Sequence, residues 1–254
     1  MPNVIDVNCD VGEVPAMIAA GHDDALAACV SSVNIACSGH AGDELSMRRV
    51  VLAARRAGTN VGAHPGYPDR VGFGRVRIAM TADALRASVR EQVARLIAVC
   101  DESGVKMTHV KPHGALYHDC RERDVAEVVG NAVQDACGHD VTLVTQAGND
   151  TAAAVWQRMG FGVVREAFAD RGYERDGTLV ARGKVGAMLL PADAARQAVM
   201  IARDQCVFVA GERVRVEAQT LCVHGDGEHA LATAHAVVQA LRDAGISVRG
   251  LAAT

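Results

Sequence analysis

The stretch "SVNIACSGHAGDELSMRRVVLAARRAG" (residues 32–58) decides how the rest of the chain reads. Successive side chains of a strand point to opposite faces, so Val33, Ile35 and Cys37 share one face while Asn34 and Ala36 share the other. The apolar run then dissolves into small and polar residues. Asp43 follows as an N-cap in front of a helical pattern that stops at Gly58. Strand, turn and capped helix make one βα unit.

The unit recurs along the chain. Strand candidates are "VIDVNC" (4–9), "SVNIAC" (32–37), "TNVGAH" (59–64), "MTHVKPH" (107–113), "VTLVTQ" (141–146), "GVVREAF" (162–168) and "TLCVHG" (220–225). Helix signals lie between most of them. In "TADALRASVREQVARLIAVCDESG" (81–104), Leu85, Val89, Val93 and Leu96 form one stripe, and "GEHALATAHAVVQALRDAG" (227–245) repeats the pattern. Strands alternating with helices imply a parallel sheet. About seven βα units without a Gly-rich dinucleotide turn predict a TIM-like (β/α) barrel rather than an open sheet. The 254 residues suit one such domain, 1–254. "CVFVAGERVRVEAQT" (206–220) reads as a small β-hairpin inserted near 205–218, with Gly211 in its turn.

Composition removes several classes of function. A balance of 26 basic against 30 acidic residues, with no Lys/Arg cluster, argues against nucleic-acid binding. No uninterrupted apolar run reaches about 18 residues, so no membrane span is expected. The eight cysteines are scattered without a C-x-x-C pair, which argues against a zinc ribbon or a disulfide framework. The N-terminus lacks the features of a signal peptide. A cytoplasmic protein with reduced thiols is the expectation; whether it forms homo-oligomers stays open.

The polar residues fall on one face of the strands. Asp6, Asn8 and Asp10 oppose Ile5, Val7 and Cys9; His40 extends the Asn34 face; Asn60, Gly62 and His64 oppose Val61 and Ala63. His109, Lys111 and His113 oppose Val110 and Pro112, and Cys222, His224 and Asp226 oppose Leu221 and Val223. In a barrel the apolar faces meet the helices and the others point inward, turning polar towards the strand C-termini where such barrels carry chemistry. Cys37 is thereby a small core residue. Among the strand cysteines Cys222 is the one that points inward.

Six segments together resemble the LamB/YcsF family, whose members are the A subunits of 5-oxoprolinase: "IDVNCDVGE" (5–13), "NIACSGHAGD" (34–43), "GAHPGYPDRVGFGR" (62–75), "VKPHGALYH" (110–118), "EAFADRGYERDGTLVAR" (166–182) and "CVHGD" (222–226). The resemblance implies a barrel related to those of polysaccharide deacetylases and glycoside hydrolases. It also implies ATP-dependent opening of 5-oxoproline, a small lactam, to glutamate, together with separate B and C subunits. Two departures stand out. "GEVPAM" replaces a Gly-rich aromatic loop, and Ser38-Gly39 stands before His40 where the family has a bulky aromatic.

A five-membered lactam resists hydrolysis because amide resonance makes its carbonyl a poor electrophile. Phosphorylating the carbonyl oxygen with ATP would activate it, and such a site needs cations, a base and oxyanion donors. Lys111 is the candidate phosphate or oxyanion partner, with His113 beside it. Asp10 and Glu13 are candidates for base or metal ligand. Asp10, His40 and His64 form a candidate divalent-metal set, distinct from the Mg2+ that accompanies ATP. Candidate substrate or nucleotide contacts are Asn8, Glu13, Asp43, Arg70, Arg75, Glu166, Arg171, His224 and Asp226. N-capping alone also explains Asp43, and Arg70 and Arg75 read equally as solvated loop arginines. No Walker-type G-x-x-x-x-G-K-[ST] occurs, so any ATP is held without a P-loop. Two other readings stay open: a metal-dependent amidase or deacetylase that needs no ATP, and a non-catalytic lactam- or sugar-binding barrel.

Overall fold

The computed structural model describes residues 4–227 and 229–251, and within it residues 32–58 form the expected βα unit. β2 (Ser32–Ala36) leads through a turn to α3 (Glu44–Ala57). The Asp43 side chain accepts from the Ser46 backbone N–H, and the Ser46 hydroxyl accepts from the Asp43 N–H, a reciprocal capping box. Gly58, with φ of 71°, ends the helix in the left-handed conformation that glycine adopts without strain.

Before it come β1 (Val4–Val11), α1 (Pro15–Ala19) and α2 (His22–Cys29). After it follow β3 (Asn60–His64), α4 (Ala82–Glu102), β4 (Met107–Val110), α5 (Gly114–Asp119), α6 (Arg123–Cys137), β5 (Thr142–Gln146), α7 (Asp150–Arg158) and β6 (Gly162–Phe168). The chain closes with α8 (Pro191–Asp204), the hairpin β7 (Cys206–Val209) and β8 (Glu212–Arg215), then β9 (Thr220–Val223), α9 (Ala230–Asp243) and β10 (Ser247–Val248). Glu228, within the stretch read as the last helix signal, lies outside the described residues.

Among the described residues, seven parallel strands close the barrel in the order β1-β2-β3-β4-β5-β6-β9, and β9 pairs back onto β1. β10 adds parallel pairing to the start of β1. The antiparallel hairpin turns through Ala210 and Gly211, both at positive φ, the backbone twist that two-residue hairpins favour.

The outward faces of the strands, including Val7, Val33, Ile35, Val61, Val110, Leu143 and Leu221, are buried against the helices. Fully burying such a side chain contributes about 1.5–3 kcal/mol. Cys37 lies in this layer, and Cys222 points inward beside Tyr117 and Phe168. The interior differs from the usual branched-aliphatic filling of these barrels. Asp6, Asn8, Ser32, Asn34, His109, Glu166 and Thr220 are all buried there. The Asn34 amide donates to Asn8 Oδ1 and Asp10 Oδ1, both at 2.7 Å, and His109 Nε2 reaches Asn34 Oδ1 at 2.8 Å. Room for the His109 ring exists because its neighbour is glycine: a Cβ on Gly62 would stand 2.2 Å from His109 Nε2.

β4 is shorter than the segment read as a strand, because Pro112 has no N–H to donate. The extended course survives all the same. Lys111 N–H donates to Ala63 O and His113 N–H to Pro65 O, so both side chains keep the inward face at the C-terminal end of the barrel.

Candidate active site

Five strand ends deliver the central cluster. Lys111, 3% exposed, sits at its base, with Nζ 2.8 Å from Glu166 Oε1 and 2.9 Å from Asp10 Oδ1. Cys222 Sγ and Asn8 Oδ1 lie 3.2 and 3.3 Å from the same nitrogen. Burial opposes the charge on Lys111, but Asp10 foremost, with Cys222 and Glu166, lifts its pKa well above the ordinary value. Burial likewise opposes charge on Asp10, and the charges of His64 and Lys111 outweigh it, holding the carboxyl well below the usual range.

The other oxygen of Asp10 lies 3.4 Å from His64 Nε2. His64 Nδ1 reaches the Lys111 backbone carbonyl at 2.7 Å, and His113 Nε2 reaches the Phe73 carbonyl at 2.9 Å. A carbonyl only accepts, so those two nitrogens carry the ring protons. The remaining nitrogens, His64 Nε2 and His113 Nδ1, then face each other with lone pairs across 3.0 Å. Glu13 Oε1 joins them, 3.3 Å from His113 Nδ1 and 3.9 Å from His64 Nε2. Such a knot of acceptors is repulsive unless a proton or a cation lies within it. Burial chiefly raises the Glu13 pKa, and at His64 burial is outweighed by Asp10 so that its pKa rises too. Both shifts favour a shared proton.

A divalent cation fits equally well. Glu13, His64 and His113 each offer an atom within 4.8 Å of the others. A tetrahedral ion with bonds of about 2.1 Å spaces its ligands about 3.4 Å apart, within the 3.0–3.9 Å spread observed. Backbone carbonyls behind both rings fix their orientation as outer partners of metal-bound histidines do.

This grouping differs from the Asp10–His40–His64 set read in the sequence. The chain after Pro112 carries His113 into the position expected of His40, and one Asp10 oxygen is engaged by Lys111. His40 stands behind, its ring stacked on His113 at 3.6 Å with Nε2 on Glu13 Oε1 at 3.0 Å. Burial, then His64, pushes the His40 pKa to about 2. Burial and His64 push that of His113 to about 3. Among the described residues His40 Nδ1 has no hydrogen-bond partner.

The aromatic that the resemblance led one to expect before His40 has a replacement. A Cβ on Gly39 would stand 2.1 Å from Gln92 Oε1. That buried amide reaches in from α4 and bonds both backbone groups of Gly66. Phe73, from the loop after β3, supplies a ring 5.5 Å from His40.

A cavity of about 330 Å3 opens above the cluster, lined in part by Asp10, Glu13, His64, Lys111, His113, Arg75, Arg171, His224 and Asp226. Asn8 and Glu166 lie beneath it as buried support: Asn8 Nδ2 and the Tyr117 hydroxyl both donate to Glu166, at 2.9 and 2.7 Å. Arg75 reaches across the mouth to Asp226 at 2.7 Å. Asp43 and Arg70 are not brought in. Asp43 is exposed and occupied as the α3 cap, and Arg70 is exposed with its guanidinium on the Gly42 carbonyl.

Three contributors escaped the sequence reading as site residues. Asp170 accepts from the His224 backbone N–H at 2.8 Å and meets its Nδ1 at 2.9 Å, leaving Nε2 as that ring's other nitrogen. Burial opposes charge on Asp170, but His224 outweighs it and its pKa falls. Tyr117 follows His113 by four positions on α5, and Phe168 shares the Glu166 face of β6; both spacings were available as signals.

Known proteins align along nearly the whole chain. The A subunit of 5-oxoprolinase from Chloroflexus aggregans is 44% identical over 248 residues, which are 96% of this chain and 98% of that protein. Its counterpart from Clostridium beijerinckii is 38% identical over 247 residues, 96% of each. The crystal structure of the lactam utilization protein from Thermus thermophilus superposes with a TM-score of 0.90 at 38% identity, covering 99% of this chain and 100% of that one. The LamB/YcsF family model matches residues 5–254, a span that contains every residue of the cluster: the chain belongs to the LamB/YcsF family.

Proposed function

We propose that this chain is the A subunit of an ATP-dependent 5-oxoprolinase, opening 5-oxo-L-proline to L-glutamate in the cytoplasm together with B and C subunits. The observation that carries the reading is the juxtaposition of Lys111 with the Glu13–His64–His113 cluster on one cavity, in a chain whose relatives, aligned over nearly their whole length, bear that name.

In this reading the γ-phosphoryl group of ATP passes to the lactam oxygen and ADP leaves. Water adds to the activated carbon, the ring C–N bond breaks with a proton going to nitrogen, and a second water releases phosphate. Lys111 offers positive charge where the oxygen becomes anionic. Glu13, whose pKa is raised, takes the proton of the attacking water on the oxygen other than the Oε1 that faces the histidines. His224, oriented by Asp170, returns one to the ring nitrogen. Glu13, His64 and His113 would hold a divalent cation, which supplies further positive charge for polarising water or carbonyl. Mg2+ enters separately with ATP.

The test is reconstitution with the B and C subunits. Glutamate should form from 5-oxoproline, dependent on ATP, and Lys111→Ala should abolish it. The imidazole and carboxylate cluster favours one other reading, a metal-dependent amidase. Turnover of an N-acyl substrate with a divalent metal and no nucleotide would replace the first reading with that one.

A further inference from the structure

The cavity lining carries a second set of charges that the Lys111 cluster does not use. Arg171 is only 6% exposed. Its Nε donates to Ala187 O at 2.9 Å and its Nη2 to Val180 O at 2.7 Å, which fixes the plane of the guanidinium and leaves the Nη1 hydrogens unengaged. Among the described residues no carboxylate lies within 4.0 Å of it, and the adjacent Asp170 is taken by His224. Arg182 has neither hydrogen bond nor ion pair among the described residues. Arg121 donates only to the neutral Gln146 amide, at 3.0 Å. His118 lies within Coulomb reach of all three: burial, then Arg121, Arg171 and Arg182, lowers its pKa against the opposing charge of Asp119. All four residues line the same cavity.

We propose that Arg121, Arg171 and Arg182, with His118, form a phosphate-binding subsite of this cavity. A buried guanidinium held by carbonyls alone lacks a counter-ion, and an anionic ligand supplies one. One bidentate arginine satisfies a carboxylate, whereas three guanidiniums with no carboxylate within 4.0 Å of them among the described residues match a ligand of higher charge, a di- or triphosphate. The pinned Arg171 is pre-organised for it, and the loop that carries Arg182 returns beside Arg171 through its pairing with Met188. The inference rests on the proposed function only in taking this cavity as the reaction site.

The experiment is calorimetric titration of the full chain with pyrophosphate and, separately, with 5-oxoproline. The variant is Arg121→Ala/Arg182→Ala; both side chains are exposed, so folding should be kept, and a thermal melt checks it. One pyrophosphate should bind per chain, weakened about tenfold or more in the variant and by added salt, while 5-oxoproline binding stays unchanged. Unaltered pyrophosphate binding in the variant overturns the subsite. So does loss of 5-oxoproline binding with pyrophosphate binding retained, since the arginines would then read the substrate carboxylate. If pyrophosphate behaves as expected but the reconstituted complex makes no glutamate, the subsite stands and the oxoprolinase reading falls.

Discussion

Lys111 and Glu166 form an ion pair 2.8 Å long whose side chains are 3% and 0% exposed, in the middle of a closed barrel. Neither charge reaches bulk water, so Glu166 depends on Lys111 for compensation and Lys111 on Glu166 and Asp10. Removing one partner of such a pair typically costs about 3–5 kcal/mol, because the survivor stays buried and charged. Glu166→Gln and Lys111→Met should each lower stability by about that amount in urea unfolding. Lys111→Met paired with Glu166→Gln should cost less than the sum of the two. Additive losses would mean the pair is not coupled.

Acidity should tune the other end of the barrel. Burial, against hydrogen bonds from Ser32, Thr220 and Ser31, raises the Asp6 pKa from 3.8 to about 6. Between those values the folded state holds a proton that the unfolded state has released, so stability falls as pH rises through this window. The shift corresponds to at most about 3 kcal/mol. Denaturation across pH 4 to 7 should show the decline in the natural chain and a flatter profile in Asp6→Asn.

Metal binding is expected at Glu13, His64 and His113. Zn2+ should raise the melting temperature, and at a hundredfold excess over Kd the gain amounts to about 2.7 kcal/mol. His113→Ala should erase the shift. Affinity should weaken on acidification, because protons compete for His64 and Glu13, whose pKa values are both raised. An unchanged Zn2+ response in His113→Ala would place the ion elsewhere.

Gly39 and Gln92 compete for one space. Gly39→Ala should destabilise by about 1–3 kcal/mol, the cost of overpacking, because the Gln92 amide is tied to Gly66 and gives way poorly. In a Gln92→Ala background the same substitution should cost little. A double-mutant cycle in urea measures the coupling.

Alternation along single strands made much of this legible from the sequence. Asp10, His64 and Glu166 lie on the polar faces of their strands, and Cys37 and Cys222 point as two-residue periodicity requires. Lys111 and His113 were readable because the extended chain outlasts Pro112. What alternation does not encode is which loop residue meets which strand end once the barrel closes. The Asp170–His224 contact spans 54 residues, and the three arginines come from α5's edge and the long loop after β6. The metal grouping shifted for the same reason: His40 and His113 both extend inward faces, and the turn after β2 puts His40 in the second row.

The polar interior also acts as a key for strand alignment. Apolar packing tolerates sliding, whereas Asn8, Asn34 and His109 meet through hydrogen bonds that have direction. Slipping β2 by one residue would turn Val33 and Ile35 towards Asn8 and Asp10 and send Asn34 into the helix layer. The residues that prepare the site for chemistry thus also reject misassembled barrels, and a chain that closes in the wrong register has no site to offer.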